Sequence, residues 1–304
     1  MVSKRFVKKL MAGSLAAVML MTSASILPAA SDENVVKAAV KGDEASEGLT
    51  AVDKLVVTSP DGKIKVQIWN DADGAYYYST YLNDCVVIQC SPFGLETSNY
   101  DYRSGYDLDE SSVKIVDGKY DYDLIQGPVN HVKKDYKELD FTLTQGDTRM
   151  TMNFRVDNEG VAYRYQFDAD STRDDEAISI TNEDSNFILP DSSTLWTIDR
   201  SATYEAGTYT ERTMSQVKSA NATYSTPILA NTGADADNAW VLLSESSVYN
   251  NDDPYCASVF QTSSGKKNIK VRFGEDLNDE QEGEKYHKVT HDRRHTWLKS
   301  VDFK

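Results

Sequence analysis

The chain has 304 residues, with 32 Lys and Arg against 48 Asp and Glu, a formal net charge of −16, 10% aromatic residues and three cysteines. A chain this acidic repels polyphosphate, whose capture rests on Lys and Arg displacing counterions, so nucleic acid is excluded as a partner. Hydrophobic residues at 40% and charged residues at 26% are those of a globular protein with a sizeable core, and three cysteines do not make a disulfide scaffold.

Residues 1–30 read as an export signal. Lys4, Arg5, Lys8 and Lys9 precede an apolar run from Leu10 to Leu20, and small residues lead to Ala29 and Ala30. A permanent anchor is disfavoured, because about 20 apolar residues are needed to span a bilayer and Gly13, Ser14, Thr22, Ser23 and Ser25 interrupt this stretch. No membrane span is therefore expected after signal removal. The expectation is a secreted protein, extracellular or in the cell envelope. Its charge would be −20, the −16 of the whole less four positive charges. Residues 31–50 are small and charged without a sustained period and read as a flexible linker. Folding is expected from Ala51 to residue 304.

From Lys54 onward the hydrophobic period is two. Lys63–Ile68, Arg149–Val156 and Val161–Phe167 alternate apolar and polar residues, which predicts strands with one face on a core. Turn residues stand between such runs at Pro60-Asp61-Gly62, Asp71–Gly74, Asp117-Gly118 and Asn158-Glu159-Gly160, and the last is expected to join two antiparallel strands. Further strands are expected near 75–90, 112–116, 136–144, 177–189, 226–231, 239–245, 256–262 and 267–273. Only Tyr209–Lys218 hints at a helix, so βαβ alternation is disfavoured. More than a dozen short strands predict an all-β fold of two large antiparallel sheets packed face to face.

Export permits disulfides, but Cys85 and Cys90 flank the strand-like run Val86–Gln89. Five residues of strand place their Cα atoms about 16 Å apart, and a bridge needs less than ~7 Å. Cys256 is open to pairing with either, and buried free thiols are the simpler expectation.

Several signatures of chemistry are missing: no GxSxG, phosphate-binding glycine loop, HExxH or CxxC occurs. His287, His291 and His295 recur every four residues, which on a helix would align three imidazoles for a metal; their Lys-, Arg- and Asp-rich surroundings read equally as a solvated loop. Tyr76, Tyr77, Tyr78 and Tyr81 share one segment, with more tyrosines at 100, 102, 106, 120 and 122. Flat rings stack on sugar C–H surfaces while phenol hydroxyls hold position, so this enrichment hints at carbohydrate, although tyrosine also favours strands for packing alone. Among the carboxylates, Glu183, Glu205 and Glu245 stand out at strand ends or beside aromatics. A glycosidase needs two acids at a defined separation, and no spacing here shows which two would meet.

The order of segments then points to a family. Ser59-Pro60-Asp61-Gly62-Lys63, Ser91-Pro92-Phe93-Gly94-Leu95, Asp135–Leu139 and above all Phe154-Arg155-Val156-Asp157-Asn158-Glu159-Gly160-Val161-Ala162-Tyr163-Arg164-Tyr165 resemble the N-terminal domain of glycoside hydrolase family 97. The likeness runs on through Trp196, Tyr204-Glu205 and Thr226-Pro227 to Leu243-Ser244-Glu245, about residues 51–273. It implies a large antiparallel β-super-sandwich of the galactose-mutarotase-like kind. It also implies association with α-glucosidase or α-galactosidase activity, whose catalytic acids lie in a (β/α)8 barrel that follows. No barrel follows here, so the resemblance implies a carbohydrate-binding part, for α-glucan or α-galactoside, and no catalytic residues in this chain alone. In the family the sandwich lends a carboxylate to a calcium beside the catalytic acids, a site of 6–8 oxygen ligands, and by position that ligand is Glu205, with Tyr209 nearby. The alternatives are an active calcium-dependent glycosidase completed by a separate or missing barrel, and a structural cell-surface interaction module.

Overall fold

The computed structural model describes residues 19–21, 47–97, 100–125, 129–168, 178–200, 207–245, 258–273, 287–289 and 297–303. Among them the secondary structure is strand apart from one six-residue helix and a 3-10 turn.

The largest sheet has eight strands. Thr50–Thr58 (β2), Ile64–Asn70 (β3), Tyr76–Leu82 (β4) and Cys85–Pro92 (β5) form a meander, and Asn186–Ile188 (β12), Asn268–Phe273 (β19), Ser258–Gln261 (β18) and Thr223-Tyr224 (β15) extend it beyond β5. A second sheet is built on the meander Asp107–Asp123 (β7), His131–Gln145 (β8), Thr148–Asp157 (β9) and Val161–Asp168 (β10), closed beside β10 by Trp297–Phe303 (β21). A third, of five strands, orders Met19–Met21 (β1), Trp240–Leu243 (β17), Ile228–Asn231 (β16), Thr194–Thr197 (β13) and Thr210–Thr213 (β14). Leu95–Thr97 (β6), Ile178–Glu183 (β11) and His287–Val289 (β20) make a three-stranded sheet. The strand pairings are antiparallel. The expected all-β antiparallel sandwich is therefore present, with its strands divided among four sheets instead of two. β1 comes from the expected export signal and pairs with β17 in this uncut chain, Met19 opposite Leu242 and Met21 opposite Trp240.

Alternation decides which side chains face inward. Ile64, Val66 and Ile68 of β3 are fully buried, as are Leu139, Phe141 and Leu143 of β8 and Met150, Met152, Phe154 and Val156 of β9. The inner faces of the two large sheets meet through rings: Tyr78 of β4 lies 5.8 Å from Phe154 and 5.2 Å from Tyr163 of β10, and Phe93 lies 5.8 Å from Phe154. These offset and edge-on arrangements add to the area they bury.

The turns that carry the family resemblance fold as their residues dictate. Gly62 takes a left-handed φ of 75° and its N–H donates to the Ser59 carbonyl at 2.9 Å. The Asp157 carboxylate accepts the N–H groups of Glu159 and Gly160 at 2.7 and 2.8 Å and closes the β9–β10 hairpin. The Asp61 N–H donates to the Asn158 side chain at 3.0 Å. The SPDGK and DNEG turns thus lie together, 97 residues apart in sequence.

Two expectations are corrected. The segment 75–90 is two strands, because Asn83 and Asp84 both adopt positive φ (48° and 64°) and turn the chain between β4 and β5. Asp117-Gly118 is no turn but lies inside β7, whose hairpin with β8 closes near Leu124 and Asn130. At that point glycine serves a close approach: a Cβ on Gly118 would stand 2.2–2.5 Å from ring atoms of Tyr136 opposite. Cys85 and Cys90 are free thiols at separate points of β5, as their spacing required, and Cys256 lies outside the described residues. The helical hint at 209–218 resolves into β14 followed by Met214–Ser219 (α1).

Candidate functional site

Five of the tyrosines expected to form a sugar platform are core. Tyr76, Tyr78 and Tyr81 are buried, Tyr78 donating its hydroxyl to the Asn186 carbonyl at 3.0 Å, and Tyr102 and Tyr106 are buried and stacked at 5.6 Å. Tyr77 is half-buried and donates to the Asp71 carboxylate at 3.0 Å; burial, reinforced by that carboxylate, pushes its phenol up to about 12.

Aromatic surface is instead assembled on the β14-β13-β16-β17 sheet. Leu195, Ile228, Ala230, Val241 and Leu243 point into the core and are fully buried. The alternate residues therefore share the outer face: Glu211 opposite Trp196, Trp196 opposite Leu229, Leu229 opposite Leu242, and Asn231 between Thr194 and Trp240. Trp196 and Trp240 reach toward each other across β16 and stack, ring centroids 5.1 Å apart and planes 30° apart. Trp240 is 36% exposed, and Tyr209, two residues before Glu211, is 48% exposed. Two tryptophan rings and the exposed Glu211 carboxylate thus lie on one side of one sheet, with Tyr209 just ahead of β14 in the chain.

Local chemistry holds these strands in place. Between β16 and β17 the chain makes a 3-10 turn at Ala234–Ala236. Asn231 accepts the Gly233 N–H through Oδ1 and donates through Nδ2 to the Asn238 carbonyl, both at 3.0 Å. Gly233 has a φ of 70°, and a Cβ there would meet the Ser192 carbonyl oxygen at 2.5 Å. On the other side β14 runs into α1 through a capping box. The Gln216 N–H donates to the Thr213 hydroxyl and the Thr213 N–H donates to the Gln216 side chain at 2.9 Å, while Met214 and Val217 are buried beneath. Arg212 of β14 clasps Asp199, two residues past β13, at 2.8 and 3.0 Å, its guanidinium 5.3 Å from the Tyr224 ring centroid.

Of the three glutamates singled out, Glu183 is buried at the end of β11 near the Tyr165 phenol, and Glu245 follows β17, half-buried. Glu183 ends a strand of the three-stranded sheet, and Glu245 follows a strand of the five-stranded one. Glu205 lies outside the described residues, between Arg200 and Gly207 and thus next in the chain to the aromatic face. His287 is in β20 opposite Ile180, a strand and not a helix turn, and His291 and His295 are outside the described residues. Among the described residues no three His, Cys, Asp or Glu side chains converge as a metal site. Also among the described residues, no helix is long and apolar enough to cross a membrane. Sequence reasoning missed Trp240; the available signal was Trp240–Leu243, apolar on both faces of a strand where only one face needs burial.

The fold and this face define an antiparallel β-sandwich domain with an outward aromatic surface. The pattern of the family described as Glycosyl-hydrolase 97 N-terminal matches residues 57–295, and the chain belongs to that family. Among solved structures it is similar to a β-arabinopyranosidase, at 20% identity and a TM-score of 0.69 over 82% of this chain and 39% of that one. It is also similar to a glycoside hydrolase family 97 enzyme from Pseudoalteromonas sp. strain K8, at 19% identity over 72% of this chain and 31% of that one, with a TM-score of 0.59 for a variant and 0.57 for the complex with panose. The same enzyme is solved with acarbose. This chain thus spans well under half the length of either relative.

Proposed function

We propose that this chain is the exported, carbohydrate-binding part of a family 97 α-glycoside hydrolase, which holds an α-glucan or α-galactoside on the Trp196–Trp240 face and does not cleave it alone. The observation that carries this reading is the stacked pair of half-buried Trp196 and exposed Trp240, with Glu211 on the same outer face of one sheet. Stacked rings of this kind offer flat apolar area to sugar C–H surfaces, and the flanking carboxylate accepts hydroxyl hydrogens. Family membership and a relative solved with panose supply the ligand class.

A second reading has support in the same exposed apolar area: the face docks a (β/α)8 barrel, and the two together form an active, calcium-dependent enzyme with Glu205 as one ligand. The relatives' greater length favours this reading. A structural surface module is the third, and it predicts no affinity for glycans.

Affinity electrophoresis through gels containing soluble starch, and separately an α-galactoside polymer, tests the proposal with the full chain. Retardation in one gel, reduced by Trp240→Ala while the thermal midpoint shows the variant folded, is expected. No nitrophenol should be released from nitrophenyl α-glucoside or α-galactoside. Migration unaffected by either polymer overturns carbohydrate binding. Turnover lost in Glu205→Gln shows that hydrolysis resides in this chain.

A further inference from the structure

The β7–β8 hairpin is longer than the sheet it belongs to. β8 pairs with β9 only from Tyr136 onward, opposite Asp157, so the pairs from Lys119–Asp135 to Asp123–His131 form a two-stranded ribbon beyond the sheet. A lone ribbon is marginal in water, and its two faces differ. One carries Lys119 with Asp135, and Asp121 and Asp123 with His131 and Lys133, all within salt-bridge distance. Its charged side chains are paired across the ribbon and suit water. The other carries Tyr120 opposite Lys134 and Tyr122 opposite Val132.

That second face runs unbroken onto the outside of the sheet. The Tyr136 ring lies over Gly118, 4.7 Å from the Tyr120 ring. The Arg155 guanidinium sits 4.3 Å from the Tyr136 centroid and 5.4 Å from that of Tyr120, and donates to the Tyr120 hydroxyl at 3.0 Å and to Glu138 Oε2 at 2.5 Å. Beyond it Arg164 donates to Asn153 at 2.6 Å, Asn153 donates to Asp140, and Lys114 reaches Asp140 at 3.2 Å. Burial pushes the Tyr120 phenol up to about 12, the neighbouring guanidinium opposing, so the ring is a neutral hydroxyl at any physiological pH.

We propose that this strip, from Tyr122 through Tyr120 and Tyr136 to Arg155 and Glu138, is a second carbohydrate site that takes an extended, uncharged oligosaccharide. The inference rests on the reading of the protein as a carbohydrate binder, at a different place in the fold. Three features fit such a ligand. Ring surface at Tyr122, Tyr120 and Tyr136 runs on into the paired donors and acceptors of Arg155 and Glu138, so one strip meets both the C–H faces and the hydroxyls of a sugar. The polar groups are already fixed by one another, so little rotamer freedom is lost on binding. Glu138 is engaged by Arg155 through one oxygen, Oε2, of a group with about four lone-pair sites. A polyanion is disfavoured, because Glu138, Asp140 and Glu159 accompany Arg155, Lys114 and Lys134.

Isothermal titration calorimetry of the full chain with maltotriose, and in parallel with raffinose, tests this. The unaltered chain should take up two molecules of one trisaccharide. Tyr122→Ala removes a ring that is already 49% exposed, and Glu138→Gln keeps the side-chain shape; each should weaken one site by roughly 3–10-fold, the equivalent of one ring contact, and leave the other alone. Trp240→Ala should do the converse. If both strip variants bind like the unaltered chain and Trp240→Ala removes all binding, the strip is not a site and the tryptophan reading stands. If a strip variant removes the only site and Trp240→Ala changes nothing, the strip stands and the tryptophan face is refuted. Absence of uptake of either sugar overturns both.

Discussion

Gly118 offers a test in which physics sets the sign as well as the size. Its backbone lies outside the left-handed region, so an L-residue fits its φ, and glycine to alanine at such a place ordinarily stabilises by ~0.4–1 kcal/mol by restricting the unfolded chain. Here the new Cβ would stand 2.2 Å from the Tyr136 ring. The ring must swing away, forfeiting its contact with Tyr120, ~0.5–1.5 kcal/mol, and its place under Arg155, ~0.5–2 kcal/mol. The losses exceed the gain, so Gly118→Ala should destabilise by about 1 kcal/mol. In a Tyr136→Ala background nothing remains to displace, and Gly118→Ala should stabilise by ~0.5–1 kcal/mol. Urea unfolding of the four proteins of this cycle, with equal m-values as the check on two-state behaviour, reads the coupling directly. A stabilising Gly118→Ala in the unaltered background refutes the reasoning, as does a coupling under ~0.5 kcal/mol, the scatter expected of independent sites.

Two pH dependences follow from the same structure. Burial raises Tyr77 and Tyr120 to about 12 and lifts Tyr78 and Tyr165 well above the usual phenol range. Folding thus favours their neutral forms; the contribution is complete below ~10, the unfolded value, and is lost as pH rises through the folded values. Tyrosinate absorbance should rise in at least two phases, with Tyr120→Phe diminishing the one near 12. A single step near 10 for all 18 tyrosines in a folded chain contradicts this. At the acid end, the hydrogen bond from Lys218 holds Asp191 below the usual carboxylate range, partly opposed by desolvation and aided by Lys267 at 3.3 Å. That stability is present above the ordinary carboxyl value and disappears as pH falls through the lower folded one. The pair is exposed and worth under ~1 kcal/mol, so in low salt Asp191→Asn should lower the thermal midpoint by about 1–3 °C at neutral pH and not in strong acid; an equal loss at both refutes the linkage.

What could be read from the residues divides along a physical line. Period-two alternation is a local property that burial enforces, and β3, β9 and β10 appear where it predicts them, with Ile64, Val66 and Ile68 inward. The turn at Asn158-Glu159-Gly160 is equally local, since Asp157 satisfies the N–H groups two and three residues ahead. Asp117-Gly118 misled because the same glycine serves a turn or a ring laid across a strand, and only the partner strand says which. Tyr76–Tyr78 misled for a related reason: a ring on a strand packs in a core or faces a ligand according to the face it occupies, and Tyr78 meets Phe154 across the sandwich. Nothing in one chain announces that Trp196 and Trp240 will stack. They are 44 positions apart, on strands separated by β16, and their meeting is a product of register.

The distribution of charge gives the two aromatic surfaces a common sense. A chain of net charge −16 cannot use long-range attraction to gather an anionic ligand and repels it at distance. Repulsion of this kind disfavours an anionic ligand for the outward rings, and the proposed neutral sugar meets that condition. On the tryptophan face the accompanying charge is the Glu211 carboxylate, and on the strip Arg155, Lys114 and Lys134 are matched by Glu138, Asp140 and Glu159. Hydroxyl-rich, neutral sugars are the ligands for which such surfaces lose nothing to electrostatics, and association should vary little between low and high salt. The salt titration separates this from barrel docking or polyanion capture through Arg155, Arg164 and Lys134, since attraction between charged surfaces is screened beyond about 8 Å at physiological ionic strength.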